Sequence, residues 1–233
     1  MSICHLKAQI ISRRDGGSAV AAAAYRSASR LTDEASGVIH DFRRKRGVAH
    51  TEIMGPPNAP EWIYDRHALW NAVESIERRR DAQLARELEI ALPVELSLDD
   101  HVELIHRFVR CEFIAAGMIA DIAVHRDNIH NPHTHLMLST RGITARGFGP
   151  KEPAWSETES LIGWRQDWAD LANAFLSKIG VERFVDHRPL EVQGIAGSPA
   201  QDRRLAVAGK PSEDLASGTL NSILKQSGLK KLR

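Results

Sequence analysis

The 233-residue sequence predicts an α/β protein: a two-layer or three-layer sandwich in which helices flank a mainly antiparallel central sheet. Strand-like and helix-like segments alternate along the chain, and neighbouring strands come in pairs close enough in sequence to form hairpins. Hydrophobic residues make up 42% of the chain and charged residues 26%, which suits a packed core beneath a charged surface.

The elements expected in the first half are a strand over 3–11, a turn over 13–17, a helix from Ser18 to about Arg30, strands over 38–42 and 48–54, and a helix from Glu61 to about Ala85. Ser18 has the residue type of an N-cap, and the helix after it is rich in alanine, which lets other backbone approach closely. The helix from Glu61 is predicted by one apolar stripe: Leu69, Ala72, Val73 and Ile76.

The second half continues with a strand over 86–92, a helix from Ser97 to about Ala116, strands over 119–125 and 133–140, a helix near 158–179, and a short helix near 217–227. The residues after about 198 are polar and weakly patterned. We therefore expect one catalytic domain over 1–198 and a C-terminal tail over 199–233.

Charge is unevenly distributed along the chain. Residues 1–50 hold nine basic and four acidic residues, residues 201–233 hold seven and three, and the segment between them carries a net charge of −8. An acidic body with basic ends is compatible with a polyanion bound on one face, and equally with scattered solvated charge.

Cysteine content and hydropathy indicate the compartment. Only Cys4 and Cys111 are present, so a disulfide framework or a cysteine zinc site is not expected. No apolar run approaches the roughly 20 residues of a membrane helix, and the N-terminus does not have the pattern of a signal peptide. The expectation is a cytoplasmic protein that has no association with a membrane.

The segment HRDNIHNPHTH, residues 125–135, is the strongest local signal for a functional site. His133 and His135 are two residues apart on an expected strand, so their side chains leave the same face. His125 ends the preceding strand and reaches them if the two strands pair. Three imidazoles around one point predict a divalent-metal site; His130, in the loop, is a fourth candidate.

Two further residue types suggest chemistry near this site. Tyr25 is one of only two tyrosines and lies in the alanine-rich helix. A phenol has a pKa of about 10, so it needs a nearby metal or cation to act as a nucleophile. Glu87 and Glu89 share one face of their strand, where a carboxylate either accepts the tyrosine proton, orients a metal ligand, or is merely solvated.

The sequence resembles the MobA/MobL group of conjugative relaxases, within the wider class of HUH endonucleases. The resemblance runs from about residue 2 to about 198 and rests on these blocks in order: SAVAAAAYRSASR, HDFRRKRGVAHTEIMGPPNAP, LWNAVESIERRRDAQLARELEIALPVEL, VHRDNIHNPHTHLMLSTR, and WRQDWADLANAFLSKIG followed by DHRPLEVQGI. Two departures are the threonine between His133 and His135, and QDRRLAVAGK in place of a histidine-glycine pair.

The resemblance implies a role for each matching residue. It makes Tyr25 the nucleophile, and it makes His125, His133 and His135 the ligands of a divalent metal, with Mg²⁺ or Mn²⁺ at work and Zn²⁺ or Ni²⁺ conceivable in a purified sample. Glu87 matches a position that assists the tyrosine, and Glu89 a more permissive one. The following basic residues are expected to bind DNA phosphates: Arg26, Arg43, Arg44, Lys45 and Arg46.

The implied activity is phosphodiester transesterification: nicking one strand of origin-of-transfer DNA through a 5′-phosphotyrosine, and rejoining it. The implied partners are single-stranded origin DNA, accessory relaxosome proteins and a coupling protein. The chain is expected to be either a stand-alone relaxase or a fragment of a longer one. The alternatives are a rolling-circle replication initiator, a non-catalytic DNA-binding accessory factor with a structural metal, and a metal-dependent hydrolase of small phosphoesters.

Overall fold

The structure, a computed structural model, describes residues 2–3, 5–182 and 184–188 of the chain. By its internal contacts the chain divides into Met1–His187 and Arg188–Arg233, and the description below concerns the first of these units. The expected helix near 217–227 and the tail over 199–233 lie outside the described residues, so the boundary at 198 stays a prediction.

Strands and helices alternate along this unit, and most strands lie close in sequence to another strand. The strands are β1 (Ser2–Ile3), β2 (Leu6–Ser12), β3 (Arg30–Thr32), β4 (Ile39–Asp41), β5 (Val48–Met54), β6 (Gln83–Ala91), β7 (Ala120–His125), β8 (His133–Ser139), β9 (Arg141–Thr144), β10 (Gly147–Lys151) and β11 (Val185–Asp186). The helices are α1 (Ala19–Arg26), α2 (Arg66–Ile76), α3 (Leu98–Val109, continued by one π-helical turn over Arg110–Ile114) and α4 (Thr158–Lys178).

A five-stranded sheet in the order β2-β6-β8-β7-β5 forms the centre of the fold. Every neighbouring pair in it is antiparallel, which confirms the expected mainly antiparallel sheet. Three two-stranded pairs surround it: β1 with β11, β3 with β4, and β9 with β10. Only the first of these pairs is parallel among the described residues.

Helices cover both faces of the sheet, so the sandwich has three layers. One face packs against α1 and α2 through a core that includes Ile11, Ala85 and Met137. The other face packs against α3 and α4 around residues such as Leu88 and Leu136. Because side chains alternate along a strand, Leu136 and Leu138 of β8 pack into the second core and Met137 between them packs into the first.

Polar anchors place the helices on the first face. Asp121 of β7 is buried and accepts hydrogen bonds from Arg66 and from the indole N–H of Trp70, each at 2.8 Å. Ser18 caps α1, as expected from the sequence, and accepts a hydrogen bond from the amide of Ala21. A buried carboxylate with these partners is satisfied, so α2 is held in one position on the sheet.

The expected extension of α1 to about Arg30 is wrong. The helix ends at Arg26, and Ala28 follows with a φ of 52°, in the left-handed region that stops a helix. Ser27 turns its hydroxyl back to the carbonyl of Ala23 at 2.7 Å. The chain then enters β3, because pairing with β4 takes the backbone hydrogen bonds that further helical turns would have used.

The expected continuous helix from Glu61 to about Ala85 is also wrong. A short 3-10 helix covers Glu61–Tyr64, and α2 begins after Asp65, whose side chain caps it by accepting from the amide of Ala68 at 2.8 Å. The helix stops at Ile76, and the charged run that follows offers no apolar side chain to extend its buried stripe. Within the stripe, Ile76 itself is exposed.

The remaining elements agree with expectation to within a few residues, apart from the hairpin β9–β10 and the strand β11, which were not expected from the sequence. The strand placed at 86–92 begins earlier, at Gln83, and the strand placed at 3–11 is interrupted before Leu6. The unexpected hairpin β9–β10 turns at residues 145–146 and enters β10 through Gly147, whose φ is 108°. It carries Arg141 and Lys151, which bind the buried carboxylate of Glu77 at 2.7 and 3.0 Å.

Candidate metal centre and catalytic site

Three histidines meet on the face of the sheet that α1 covers. His125 and His133 are directly paired across β7 and β8, and His135 lies two residues further along β8. Their ring centres are 4.8 to 5.2 Å apart, and one nitrogen from each ring lies within 4.8 Å of the others. His130 lies exposed in the connecting loop and is not part of this cluster.

Each ring is held through one nitrogen, which leaves its second nitrogen available as a metal ligand. Nε2 of His125 donates to the carbonyl of Arg26 at 2.7 Å, and Nδ1 of His133 donates to the carbonyl of Asn131 at 3.0 Å. Nδ1 of His135 donates to the carboxylate of Glu87 at 2.8 Å. Such outer partners orient histidine ligands in metal sites, so the donor set fits a divalent ion.

The electrostatics of the cluster keep its innermost ring neutral. Burial lowers the pKa of His125 to about 3, and the positive charge of Lys45 acts in the same direction. A metal binds the unprotonated form of imidazole. His125 is therefore in the state that a ligand requires across the physiological pH range.

Glu87 is the polar centre beneath the cluster. Its side chain is only 1% exposed, and it receives hydrogen bonds from Gln9, from the guanidinium of Arg26 through two nitrogens, and from His135. Burial raises the pKa of this carboxyl, but the hydrogen bonds and charges of His135 and Arg26 outweigh it and hold the pKa well below its usual range. Glu87 is thus ionised and fully engaged.

Tyr25 lies at the end of α1, beside the histidine cluster. Tyr25 directly precedes Arg26, whose carbonyl accepts the hydrogen bond from His125. The ring packs edge-on against Phe42, with ring centres 5.2 Å apart, and remains 41% exposed. The phenol is therefore supported on one side and open to a large substrate on another.

Lys45 is the cation that lies closest to the Tyr25 ring among the described residues. Its ammonium nitrogen is 3.8 Å from the ring centre and donates to the Tyr25 carbonyl at 3.2 Å. Burial lowers the pKa of Lys45 to about 8, helped by the neighbouring charge of Arg26. The sequence predicted Lys45 only as one of four consecutive basic residues that bind DNA phosphates. It did not predict that the ammonium group of Lys45 would lie against the Tyr25 ring.

The other basic residues expected to bind DNA have different surroundings. Arg26 is turned towards Glu87 in an ion pair and is 18% exposed. Arg43 is paired with Asp41 at 2.7 Å, whereas Arg44 and Arg46 are exposed. The four residues from Arg43 to Arg46 are called the basic segment below.

The basic segment is tied closely to the histidine loop. Gly47 has a φ of 90°, and a β-carbon on it would lie 2.3 Å from the β-carbon of Asp127. The amide of Arg126 donates to the Gly47 carbonyl at 2.7 Å. Glycine is required for this approach, which brings the segment that carries Lys45 against the loop between β7 and β8.

Glu74 is a further residue of the site region that sequence reasoning missed. Its buried carboxylate accepts from the amide of Ala19 at 2.7 Å, in the first turn of α1, and from Arg13 at 2.6 Å. A carboxylate at a helix N-terminus complements the helix dipole and satisfies a free amide. It thereby helps to hold α1, and with it Tyr25, in place; no local sequence pattern distinguishes it from nearby glutamates such as Glu77.

A solved structure shares the fold of this chain. The structure matches that of the conjugative relaxase TrwC in complex with oriT DNA, in its metal-bound form, with a TM-score of 0.55 over 98% of this chain and 92% of that chain. The two sequences are 13% identical, so the likeness is one of fold. The chain therefore shares its fold with this relaxase structure.

The family follows from closer matches. The MobA/MobL family model matches residues 17–208, and the chain belongs to that family. A structure described as the molecular basis of vancomycin resistance transfer in Staphylococcus aureus is 33% identical, with a TM-score of 0.76 over 81% of this chain and 100% of that chain. The conjugal transfer protein TraA of Rhizobium radiobacter is 36% identical over 85% of this chain.

The chain spans 21% of the length of that TraA protein. Within the described residues, none of the helices has both the length and the apolar character needed to cross a membrane.

Proposed function

We propose that the chain is a relaxase domain that cleaves one strand of origin-of-transfer DNA, remains attached to the new 5′ end through Tyr25, and rejoins the strand in the reverse reaction. The observation that supports this most strongly is the placement of Tyr25 next to the three-histidine cluster. His125 of that cluster donates a hydrogen bond to the carbonyl of Arg26, the residue that follows Tyr25.

His125, His133 and His135 are proposed to hold one divalent ion, with Mg²⁺ or Mn²⁺ as the working metal. When bound, the ion supplies positive charge to a non-bridging oxygen of the scissile phosphate. Three neutral imidazoles leave coordination positions for water or substrate. Within the described residues the donor atoms already lie close enough together to share an ion.

Tyr25 is proposed as the nucleophile. Its phenol oxygen loses a proton and forms a bond to phosphorus, while the bond from phosphorus to the 3′ oxygen breaks and that oxygen takes up a proton. One phosphodiester replaces another, so the bond energy is kept in the phosphotyrosine and the step can be reversed without a nucleotide. The 41% exposure of Tyr25 leaves room for a DNA strand to reach it.

Glu87 and Arg26 are proposed as positioning residues. A carboxylate whose pKa is held well below the usual range, and which already accepts four hydrogen bonds, is a poor proton acceptor for a phenol. Its bond to His135 fixes the ring that faces the metal site. We therefore assign Glu87 to orienting a ligand, which was one of the two roles that the sequence left open.

Lys45 is proposed to stabilise negative charge on the phenol oxygen and the attacked phosphate. A cation 3.8 Å from the Tyr25 ring centre acts over a short distance in a partly desolvated site. This role is distinct from the general phosphate binding expected for the basic segment. Arg44 and Arg46, which are exposed, are the members proposed to contact the DNA backbone outside the reacting phosphate.

The proposed partners are single-stranded origin DNA in the cytoplasm, together with accessory relaxosome proteins and a coupling protein. Two similar proteins support the DNA partner: the relaxase TrwC forms a complex with oriT DNA, and TraA is a conjugal transfer protein. A flexible single strand suits a partly exposed tyrosine beside a recessed cluster, because duplex DNA cannot present one phosphate there.

The proposal is tested by incubating the chain and Mn²⁺ with single-stranded oligonucleotides that tile the transfer origin of the replicon that encodes it. We expect a protein–DNA adduct that survives denaturing electrophoresis. A rolling-circle initiator would form the adduct on replication-origin strands instead. A small-phosphoester hydrolase would turn over a model phosphodiester without an adduct, and an accessory factor would bind the oligonucleotides without cutting them.

A further inference from the structure

A second group of metal-type donors lies away from the Tyr25 site. His50 and Glu52, two residues apart on β5, meet His106 of α3, and one donor atom from each lies within 4.8 Å of the others. Nε2 of His50 is 3.3 Å from Oε2 of Glu52, and Nε2 of His106 is 2.6 Å from the same oxygen. Both histidines therefore aim one ring nitrogen at one carboxylate.

This cluster lies on the opposite face of the sheet from the first. His50 pairs with Val124 and Glu52 with Ile122, both of which belong to the core beneath α3 and α4. His125 is the next residue along β7, so its side chain leaves the other face. The two clusters are separated by the sheet itself and cannot share one ion.

We propose that His50, Glu52 and His106 form a second divalent-metal site, which binds Zn²⁺ or a similar transition ion and ties β5 to α3. Two imidazoles and one carboxylate are a common zinc donor set, with water as a fourth ligand. Ligands at about 2.05 Å from a tetrahedral ion lie about 3.3 Å from one another. The distance from His50 to Glu52 has this value, and the His106 contact needs to open by less than an ångström.

The exposure of the cluster allows an ion to enter. The side chains of His50, Glu52 and His106 are 31%, 40% and 26% exposed, so each is anchored by its element and still reached by water. The proposed ion would replace the contacts that now join the rings of His50 and His106 to the carboxylate of Glu52.

The position suggests a structural role. β5 is the outer strand of the five-stranded sheet, and it begins three residues after Lys45. β5 lies against α3 in the helix layer above it. An ion here would cross-link the strand to α3 and so steady the strand that leads out of the basic segment.

The test uses the whole chain with the first cluster removed by His133→Ala and His135→Ala, so that it does not depend on the proposed function. After chelation and dialysis, Zn²⁺ binding is measured by calorimetry and by elemental analysis. We expect one ion per chain in this background, a rise in Tm on adding Zn²⁺, and a loss of both when His106→Ala is added. His67→Ala, another half-exposed histidine beside a glutamate, is the matched control and should change neither.

A second variant guards against misfolding. Glu52→Gln keeps the size of the side chain and removes its charge, so it should weaken Zn²⁺ binding in the same background while the Tm without metal changes little. The proposal is overturned if the background variant binds no Zn²⁺, or if the ion remains bound at full stoichiometry in both His106→Ala and Glu52→Gln.

Discussion

Nδ1 of His135 donates a 2.8 Å hydrogen bond to Oε1 of Glu87, a carboxylate whose side chain is only 1% exposed. The same carboxylate holds the guanidinium of Arg26, the residue that follows Tyr25. One buried charge therefore links a proposed metal ligand to the end of the helix that carries the proposed nucleophile. Two of the predictions below depend on this link.

Glu87→Gln should weaken metal binding without removing a ligand. Because the carboxylate orients His135 and strengthens it as a donor, we expect metal affinity to fall by about 10–100-fold. Calorimetric titration with Mn²⁺ measures this. Glu77→Gln, at another buried carboxylate that binds Arg141 and Lys151 instead of a histidine, is the control and should leave affinity within about twofold, since outer-shell effects depend on direct contact with a ligand. Equal losses in the two variants would contradict the assigned role.

Acid should destabilise the metal-free protein through the same residue. The folded pKa of Glu87 lies below its ordinary value of 4.5, so the ionised carboxylate contributes stability above that pH and loses it as the pH falls below. We expect the free energy of unfolding of Glu87→Gln to be lower by about 3 kcal/mol at pH 7, and the gap to narrow below pH 4.5. Urea denaturation at several pH values checks this; a gap independent of pH would refute it.

The metal ligands are predicted to be His125, His133 and His135, with His130 uninvolved. In a His106→Ala background, which removes the second proposed site, alanine at any of the three should remove at least one coordination bond and abolish tight Mn²⁺ binding, because the remaining two rings cannot hold the ion. His130→Ala, in the exposed loop between β7 and β8, is the control. If His130→Ala loses the metal while His125→Ala retains it, the third ligand has been assigned wrongly.

Lys45→Met should slow strand cleavage more than it weakens DNA binding. Removing a charge beside the reacting group should cost about 100-fold in rate, and Arg44→Met, at an exposed residue of the same segment, should cost far less. The pKa of Lys45 is lowered to about 8, so its charge is present below that pH and lost above it. The ratio of wild-type to Lys45→Met cleavage rates should therefore fall as the pH rises through 8; a constant ratio would exclude this role.

The exposed arginines of the basic segment should govern the salt dependence of binding. Replacing Arg44 and Arg46 by Glu should reduce the slope of log affinity against log salt by about 1.4 for a single strand. Arg43→Glu should matter less, because Asp41 already neutralises Arg43. Fluorescence anisotropy at several salt concentrations measures the slopes. Reversal of all four basic residues with an unchanged slope would show that the segment faces away from DNA.

The histidine cluster and the sheet could be predicted because they depend on local patterns. Period-2 spacing sets the shared face of His133 and His135, and the short loop to His125 sets the pairing of β7 with β8. The family resemblance added the role of Tyr25. These signals act over a few residues, where sequence pattern and geometry correspond closely.

The errors came from interactions between distant segments. The end of α1 depends on the pairing of β3 with β4, and the end of α2 on where the buried stripe stops. The approach of Lys45 to Tyr25 depends on the contact between Gly47 and Asp127, 80 residues apart in the chain. The cluster of His50, Glu52 and His106 joins a strand to a distant helix, and only the alternation of His50 and Glu52 hinted at it.

The most direct test of the account is the chemistry of Tyr25. Tyr25→Phe removes one oxygen and keeps the ring that packs on Phe42, and Tyr64→Phe, on a tyrosine that is also about half exposed, is the matched control. Each protein is incubated with origin strands and Mn²⁺, and any adduct is mapped by mass spectrometry. We predict a nucleotide on Tyr25 in the wild type and in Tyr64→Phe, and no adduct in Tyr25→Phe, which still binds metal and DNA. A nucleotide on Tyr64 or on a histidine, or an adduct that persists in Tyr25→Phe, would contradict the account.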